Sequence, residues 1–530
     1  MPVRTAIWRP VDAIRHLSPA LRGWTAWLVV VLCVGVFTYW WQSGGFGFDQ
    51  RSLNAWREAD YVSIARAFVE EDMNPLYPRV PWRGEGTGEV EMEAPLVPWL
   101  AALTGRLIGY DDSLLRRVST VFVAAAVGLF GWLALRRLSP LPALFAFAFF
   151  AGNPIVQAMA TAMQPEGVAL FFTVLTVMAA LFWYESGSRR WWWVAVAGLS
   201  LALIAKASSV YLLIFCGLLV WQREGVAALL NRRVLLSVGV ALAAPLLWYL
   251  HARGVYARTG LSLGLSNETH LINAGVLADP LPFFMGNLVI EARYVLATIA
   301  GVLLCLLGMF RRSQRPVLLL AASVAVYYLL ISDTSGEHWA WYYHLASVVP
   351  VSLLVGAGVE SVLAHLVDRS RFIVAILVAG LIAVCLWALL GEARVTRRLL
   401  EVRDGTSPLT RLCIQELADK LPTGALMLVR GGPAFDVHGH PVAYNDSPPF
   451  AWARRFGANF PSDLTQADPF ASYANRPAPW YWIARADDSA LVDDYPRLVE
   501  AAAGYPVVAT CSLDRRYALV SLTTTGQARP

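Results

Sequence analysis

The sequence predicts a polytopic α-helical membrane protein carrying a small α/β domain at its C-terminal end. Three observations predict it. Of 530 residues, 57% are apolar or aromatic and only 15% are charged. Apolar runs long enough to span a bilayer recur from residue 24 to residue 391. Beyond residue 391 those runs stop, and strand-like and helix-like segments alternate. Soluble domains carry about 25% charged residues, so a soluble chain is excluded, and a mean hydropathy of +0.50 excludes disorder. A formal charge of +5 is small for this length and leaves no footprint for nucleic acid. Six cysteines are too few for a disulfide scaffold.

A span needs about 17–25 apolar residues. About eleven are expected, near 24–41, 114–135, 139–153, 166–184, 191–205, 208–221, 234–250, 293–310, 316–332, 345–364 and 372–391. The first carries Trp40 and Trp41 where a cleavable signal peptide would have small residues. Twenty-one tryptophans suit aromatic belts at both interfaces. Arginines give the orientation. Arg4, Arg9, Arg15 and Arg22 precede the first span and put the N-terminus in the cytoplasm. The same count puts Arg136-Arg137, Arg189-Arg190, Arg232-Arg233 and Arg311-Arg312 inside, whereas the loops 154–165 and 333–344 have no Lys or Arg.

Two domains are expected: a membrane module, 1–391, and an extracytoplasmic domain, 392–530. The module has two long outer loops, 42–113 and 251–292. No internal repeat is visible, which counts against repeat-built transporters. In the C-terminal domain, strands are expected at 424–430, 480–486, 506–513 and 516–522, with helices near 408–420 and 488–502. Ser407-Pro408 suits an N-cap and first helical residue. Cys413 and Cys511 offer a helix-to-strand disulfide in an oxidising compartment, with two buried thiols as the alternative. Asp436, His438 and His440 form a polar loop with metal-ligand residue types.

The residues that could carry chemistry collect in the outer segments. Residues 54–70 are helix-like, with Trp56, Ala59, Ile64, Ala67 and Phe68 near one face, as in a helix lying in the interface plane. Glu58 and Asp60 sit at its start, where the helix dipole favours carboxylates; a solvated acidic face is the plain alternative. A second short helix, 94–107, follows Glu91 and Glu93. Pro165-Glu166 opens a span at its outer mouth. Lys206, one of only two lysines, lies at an outer turn between short spans. It either snorkels to the interface or, as an ionisable group at that depth, is functional. The loop 333–344 adds Glu337, His338 and His344, and the second long loop adds Arg253, Arg258 and His270. All are expected on one face of the membrane.

In order along the chain, WREADYVSIARAF (56–68), EMEAPLVPWL (91–100), GYDDSLLRR (109–117), PEGVALFF (165–172), PLLWYLHAR (245–253) and HWAWYYHLASVVP (338–350) carry a family likeness. They resemble the landmarks of the bacterial GT-C glycosyltransferases related to the protein O-mannosyltransferases and the lipid A aminoarabinose transferases. The resemblance covers roughly residues 24–391; the C-terminal domain is similar only in placement. It implies a GT-C type fold and inverting transfer of a sugar from a polyprenyl-phosphate carrier. The acceptor would be a hydroxyl of a glycan, lipid or protein on the outer face of a bacterial cytoplasmic membrane. It implies a catalytic acid in the first outer loop, which falls on Asp60 with Glu58 as rival, and a second acid at the start of a later span, Glu166.

For the leaving phosphate the basic residues are Arg57, Lys206, Arg258, His338 and His344. Arg57 stands where the aminoarabinose branch has its Asp, and Glu93-Ala94-Pro95 replaces its Lys-Pro-Pro. The phosphate is then held from elsewhere, or by a divalent metal (Mg²⁺ or Mn²⁺) on Glu93 and Asp60. A subset of the family carries the WRxAD and E-x-P pattern found here. Two other readings compete. A flippase or transporter of lipid-linked glycans would place polar residues deep in several spans, whereas nearly all charges here sit at span ends. A non-catalytic scaffold in envelope glycan assembly would leave the acidic loop without a purpose.

Overall fold

A computed structural model describes residues 55–265, 276, 279–332, 334–366, 391, 408–435, 444–463, 470–474, 476–485 and 502–522. The expected span 24–41, nearly all of 372–391 and of the helix 488–502, His270, and the loop with Asp436, His438 and His440 lie outside them. In chain order the helices are α1 (Ala55–Glu70), α2 (Leu96–Ile108), α3 (Ser113–Arg137), α4 (Pro140–Gly152), α5 (Pro154–Thr161), α6 (Glu166–Ser186), α7 (Arg189–Ala205) and α8 (Tyr211–Glu224). Then come α9 (Arg232–Thr259), α10 (Pro280–Ile290), α11 (Ile299–Met309), α12 (Arg315–Leu330), α13 (Leu345–Leu366), α14 (Pro408–Asp419) and α15 (Pro448–Ala453). The chain divides into two compact units, one comprising Met1–Phe46, Arg116–Leu246 and His270–Leu399, the other Gly47–Leu115, Leu247–Thr269 and Leu400–Pro530.

The first unit is helical among its described residues. Nine of the expected spans fall on described residues, and each lands on helical structure. Among the described residues of the whole chain, five helices are long and apolar enough to cross a membrane, or up to seven if each of two bent pairs is one span. Helices α7 and α8 are shorter, at 17 and 14 residues. The chain is a multi-pass membrane protein.

Three expectations need correction. Residues 154–165 are not simply a loop, because α5 occupies Pro154–Thr161. Asn153 Oδ1 accepts from the backbone N–H of Ile155 at 3.0 Å, and Pro154 suits a first helical turn, so a new helix starts at 52° to α4. The second outer loop does not begin at 251. Helix α9 runs on to Thr259 and stops at Gly260, which takes a φ of +68°. Hydropathy measures the apolar part of a helix and misses this polar extension.

Third, 293–310 is not one straight span. It covers the end of a π-helical turn, Glu291–Leu296, then a break and α11, and the pair is bent by 98°. Ala297 takes a φ of 55° at the break, and Thr298 caps α11 through Gly301 N at 2.9 Å. Asn153 serves both breaks, because its Nδ2 donates to Val295 O at 2.8 Å. Broken helix inside a membrane needs such internal partners for its freed backbone groups.

Small residues let α11 and α13 touch: a Cβ on Gly308 would lie 1.9 Å from Leu354 O, and one on Gly358 2.0 Å from Leu304 O.

The second unit joins the first outer loop to a five-stranded sheet. The strands are β1 (Leu426–Arg430), β2 (Gly457–Phe460), β3 (Trp480–Ala484), β4 (Val507–Thr510) and β5 (Ala518–Ser521), in the order β2-β1-β3-β5-β4. β1 runs parallel to both neighbours, and the β3–β5 and β5–β4 pairs are antiparallel. Leu428, Phe460, Phe470, Trp480, Trp482 and Val520 fill one face. Each expected strand is present in shortened form. β2 and α15 were not expected: GANF has no β-branched residue and becomes a strand only by pairing with β1. The edge of β2 is met by the first outer loop, where Gly457 N donates to Pro81 O at 3.0 Å and Gly84 N to Gly457 O at 2.6 Å. Cys413 and Cys511 form a disulfide. Beside it Glu416 accepts from Lys420 Nζ and from the N–H and hydroxyl of Ser512, which pull its carboxyl down to about 2.

Candidate active site

Helix α1 is not the one-sided interfacial helix its spacing implies. Trp56, on the expected apolar face, is 46% exposed, while Ala59, Val62, Ile64 and Ala65 are fully buried. Nor is the acidic pair a solvated face, since Glu58 and Asp60 are both buried. Asp60, 1% exposed, accepts from three donors. Trp82 Nε1 donates to Oδ1 at 2.8 Å, Ser447 Oγ also donates to Oδ1, and Asn445 Nδ2 donates to Oδ2 at 3.0 Å. Burial pushes the Asp60 carboxyl up to about 7, while the Ser447, Trp82 and Asn445 bonds pull it down and the nearby Asp446 adds to the rise.

Arg57 and Tyr61, one turn apart on α1, both meet Glu93: Arg57 Nη2 at 3.5 Å from Oε1 and Tyr61 OH at 3.4 Å from Oε2. The neighbouring Glu91 accepts from Ser262 Oγ at 2.7 Å. Arg258 is 55% exposed, with Nη2 3.8 Å from Glu89 Oε2. Asp60 and Glu93 thus each have their own donors. Among the described residues, no three His, Cys, Asp or Glu side chains come together as a metal site.

In the first unit, Glu166 and Lys206 form a buried ion pair through Lys206 Nζ and Glu166 Oε1. Lys206 is 6% exposed, so it does not snorkel to water. Its ammonium lies 4.9 Å and 5.2 Å from the ring centroids of Tyr342 and Tyr343, which adds cation–π attraction. Glu166, Thr173, Lys206, Ser208, Tyr342 and Tyr343 line a cleft of about 370 Å³, its open mouth included. A buried lysine among hydroxyls is suited to an anionic group that brings its own oxygens.

His344 is fully buried, and both ring nitrogens are engaged, Nδ1 at 2.7 Å from Glu291 Oε1 and Nε2 at 3.0 Å from Ser335 O. The same Glu291 oxygen accepts from Tyr328 OH at 2.9 Å and Ser347 Oγ at 2.6 Å. His344 therefore secures the broken helix at Glu291, while its neighbours Tyr342 and Tyr343 line the cleft. His338 is exposed, with its ring 6.0 Å from that of Tyr294. Sequence reasoning missed Trp82, Asn445, Ser447 and Glu291. NDSPP (445–449) reads as an ordinary turn, and nothing local marks it as a partner of residue 60.

Residues 92–249 match the family model described as dolichyl-phosphate-mannose-protein mannosyltransferase. No curated protein sequence matches the chain. ArnT from Cupriavidus metallidurans has a similar structure, both in the apo state (TM-score 0.57, 16% identity, 95% of this chain and 98% of that chain) and bound to undecaprenyl phosphate (TM-score 0.56, 16% identity, 94% and 99%). The oligosaccharyltransferase AglB from Archaeoglobus fulgidus, in complex with an inhibitory peptide and a dolichol-phosphate, is similar at a TM-score of 0.51 and 12% identity, over 92% of this chain and 73% of that chain. At such identities the structures speak to the fold, and the family model speaks to residues 92–249. The chain thus shares its fold with ArnT and AglB, and its residues 92–249 are similar to the mannosyltransferase family.

Proposed function

We propose that the protein is an inverting glycosyltransferase that moves a sugar from a polyprenyl-phosphate carrier to an acceptor hydroxyl of a glycan, lipid or protein. It works on the extracytoplasmic face of a bacterial cytoplasmic membrane, the orientation that the arginine distribution favours. The observation that carries this reading is Asp60, a buried carboxylate oriented by three donors and titrating near 7, where a general base is most effective. Asp60 takes the acceptor's hydroxyl proton as that oxygen attacks the anomeric carbon. The bond from that carbon to the phosphate oxygen breaks on the opposite side, and polyprenyl phosphate leaves with the electron pair. Configuration inverts. Such base assistance is worth about 10²–10⁴-fold. Within the first unit, the Lys206–Glu166 pair is a separate candidate for holding an anionic group such as a phosphate. The similarity to ArnT bound to undecaprenyl phosphate and to AglB with a dolichol-phosphate supports a lipid-linked donor.

The test is release of sugar from radiolabelled polyprenyl-phosphate sugars by purified protein in detergent, without acceptor. Release by the wild type and its loss in a folded Asp60→Asn variant is the expected outcome. Retained release in that variant moves the base elsewhere, to Glu58 first. Neither release nor binding across a panel of sugars would sink the transferase reading in favour of a transporter or scaffold.

A further inference from the structure

Asp60 and Ser447 are 387 residues apart, yet the Ser447 hydroxyl donates to the Asp60 carboxylate. Ser447 occupies the N-cap position of α15, where a serine hydroxyl usually accepts from its own helix. Here it makes no such bond. Asn445, two residues earlier, donates to the other Asp60 oxygen at 3.0 Å and lies 3.2 Å from Ser447 Oγ.

The segment that presents these donors is fixed at several points. Gly432 N donates to Tyr444 O at 2.9 Å, and a Cβ on Gly431 would lie 1.8 Å from Tyr444 O, so the two backbones touch. Asp446, between the two donors, pairs with Arg485, which follows β3. Ala451 N donates to Ser447 O at 3.1 Å. From the other side Arg66, also on α1, donates to Ala451 O at 2.6 Å and to Asp112 at 3.0 Å. The segment and α1 are therefore locked together independently of Asp60.

We propose that Ser447 and Asn445 are positioning residues, through which the C-terminal domain holds Asp60 in one orientation and favours its ionised form. This rests on the reading of Asp60 as the base. Donors to a carboxylate stabilise its charged state, and outer partners of a catalytic group fix its geometry. Among the described residues of the C-terminal segment, the charged group acting on Asp60 is Asp446, which opposes ionisation and is paired with Arg485. Along α1 lie Arg57, facing Glu93, the buried Glu58, and Arg66, facing Asp112. The C-terminal domain is then a working part of the site rather than an appended module.

The experiment reads Asp60 directly, from the pH dependence of thermal unfolding of the full-length protein in detergent, each variant compared with its Asp60→Asn counterpart. Ser447→Ala is expected to raise the midpoint of the Asp60 titration by about one to two pH units, and Ser447→Thr to restore it. Asn445→Ala moves it the same way by a smaller step and covers the case in which Ser447→Ala does not fold. Sugar release from polyprenyl-phosphate mannose, or whichever panel member is turned over, gives the second reading. Ser447→Ala lowers kcat at neutral pH, leaves the donor KM unchanged, and recovers as pH rises. A loss equal at all pH values, or an unmoved titration midpoint in both alanine variants, overturns the proposal. Should Asp60→Asn retain release, the base assignment fails, and the stability titration still reports whether Ser447 and Asn445 control this carboxylate.

Discussion

Arg57 Nη2 lies 3.5 Å from Glu93 Oε1, so a cation on α1 faces the acid of the E-x-P segment. The pair is mostly buried, at 13% and 17% side-chain exposure, so its electrostatics are less screened than those of a surface bridge. Reversing either charge alone, Arg57→Glu or Glu93→Lys, puts like charges in contact. The double reversal should regain part of the stability lost by each single change, with a coupling of about 0.5–3 kcal/mol in a double-mutant cycle of detergent unfolding curves. Additive single effects would show that the two side chains do not act as a pair.

Asp60 should make stability and activity run in opposite directions with pH. Its folded value, about 7, lies above its ordinary value of 3.8, so the native state holds a proton that the unfolded chain has released. Its contribution to stability is complete below about pH 4 and is lost as pH rises through about 7. A general base needs the ionised form, so transfer should rise over the same window and level off above it. Asp60→Asn should flatten that part of the stability profile and abolish transfer. Paired thermal-unfolding and turnover profiles from pH 4 to pH 9 check both.

The Glu166–Lys206 pair separates a binding role from a structural one. Lys206→Met leaves the Glu166 carboxylate buried opposite an apolar chain, which costs about 3–5 kcal/mol for a buried pair broken on one side. Lys206→Met with Glu166→Leu removes both charges and should recover most of that stability. It should not recover binding of a polyprenyl-phosphate sugar, measured by equilibrium binding in detergent. Full binding by the double variant would make the pair purely structural.

The disulfide between Cys413 and Cys511 closes a loop across 98 residues. Replacing both cysteines by alanine should lower the stability of the second unit by about 2–4 kcal/mol. Transfer should fall at a lower temperature than in the wild type, because Ser447 and Asn445 belong to that unit. Temperature-dependent turnover of the two proteins, with intact disulfide confirmed by mass spectrometry of the wild type, checks this.

Much of this protein was legible from sequence because membrane helices announce themselves locally. A run of apolar residues is long enough to span or it is not, so helical structure under the nine expected spans on described residues was legible locally, while the break within 293–310 was not. The alternation of the C-terminal strands was legible for the same reason. The outer-loop acids could be singled out, but their burial could not. Glu58 and Asp60 look like dipole-favoured, solvated carboxylates, and only tertiary packing hides them. Tertiary structure alone decided that Asn153 serves two helix breaks, that Lys206 faces Glu166 and two tyrosines, and that Ser447 spends its hydroxyl on Asp60 rather than on its own helix. Local periodicity records which side of an element is apolar. It holds no record of a hydrogen bond between residues 60 and 447, because the free energy of that bond exists only once the two segments have been brought together and desolvated.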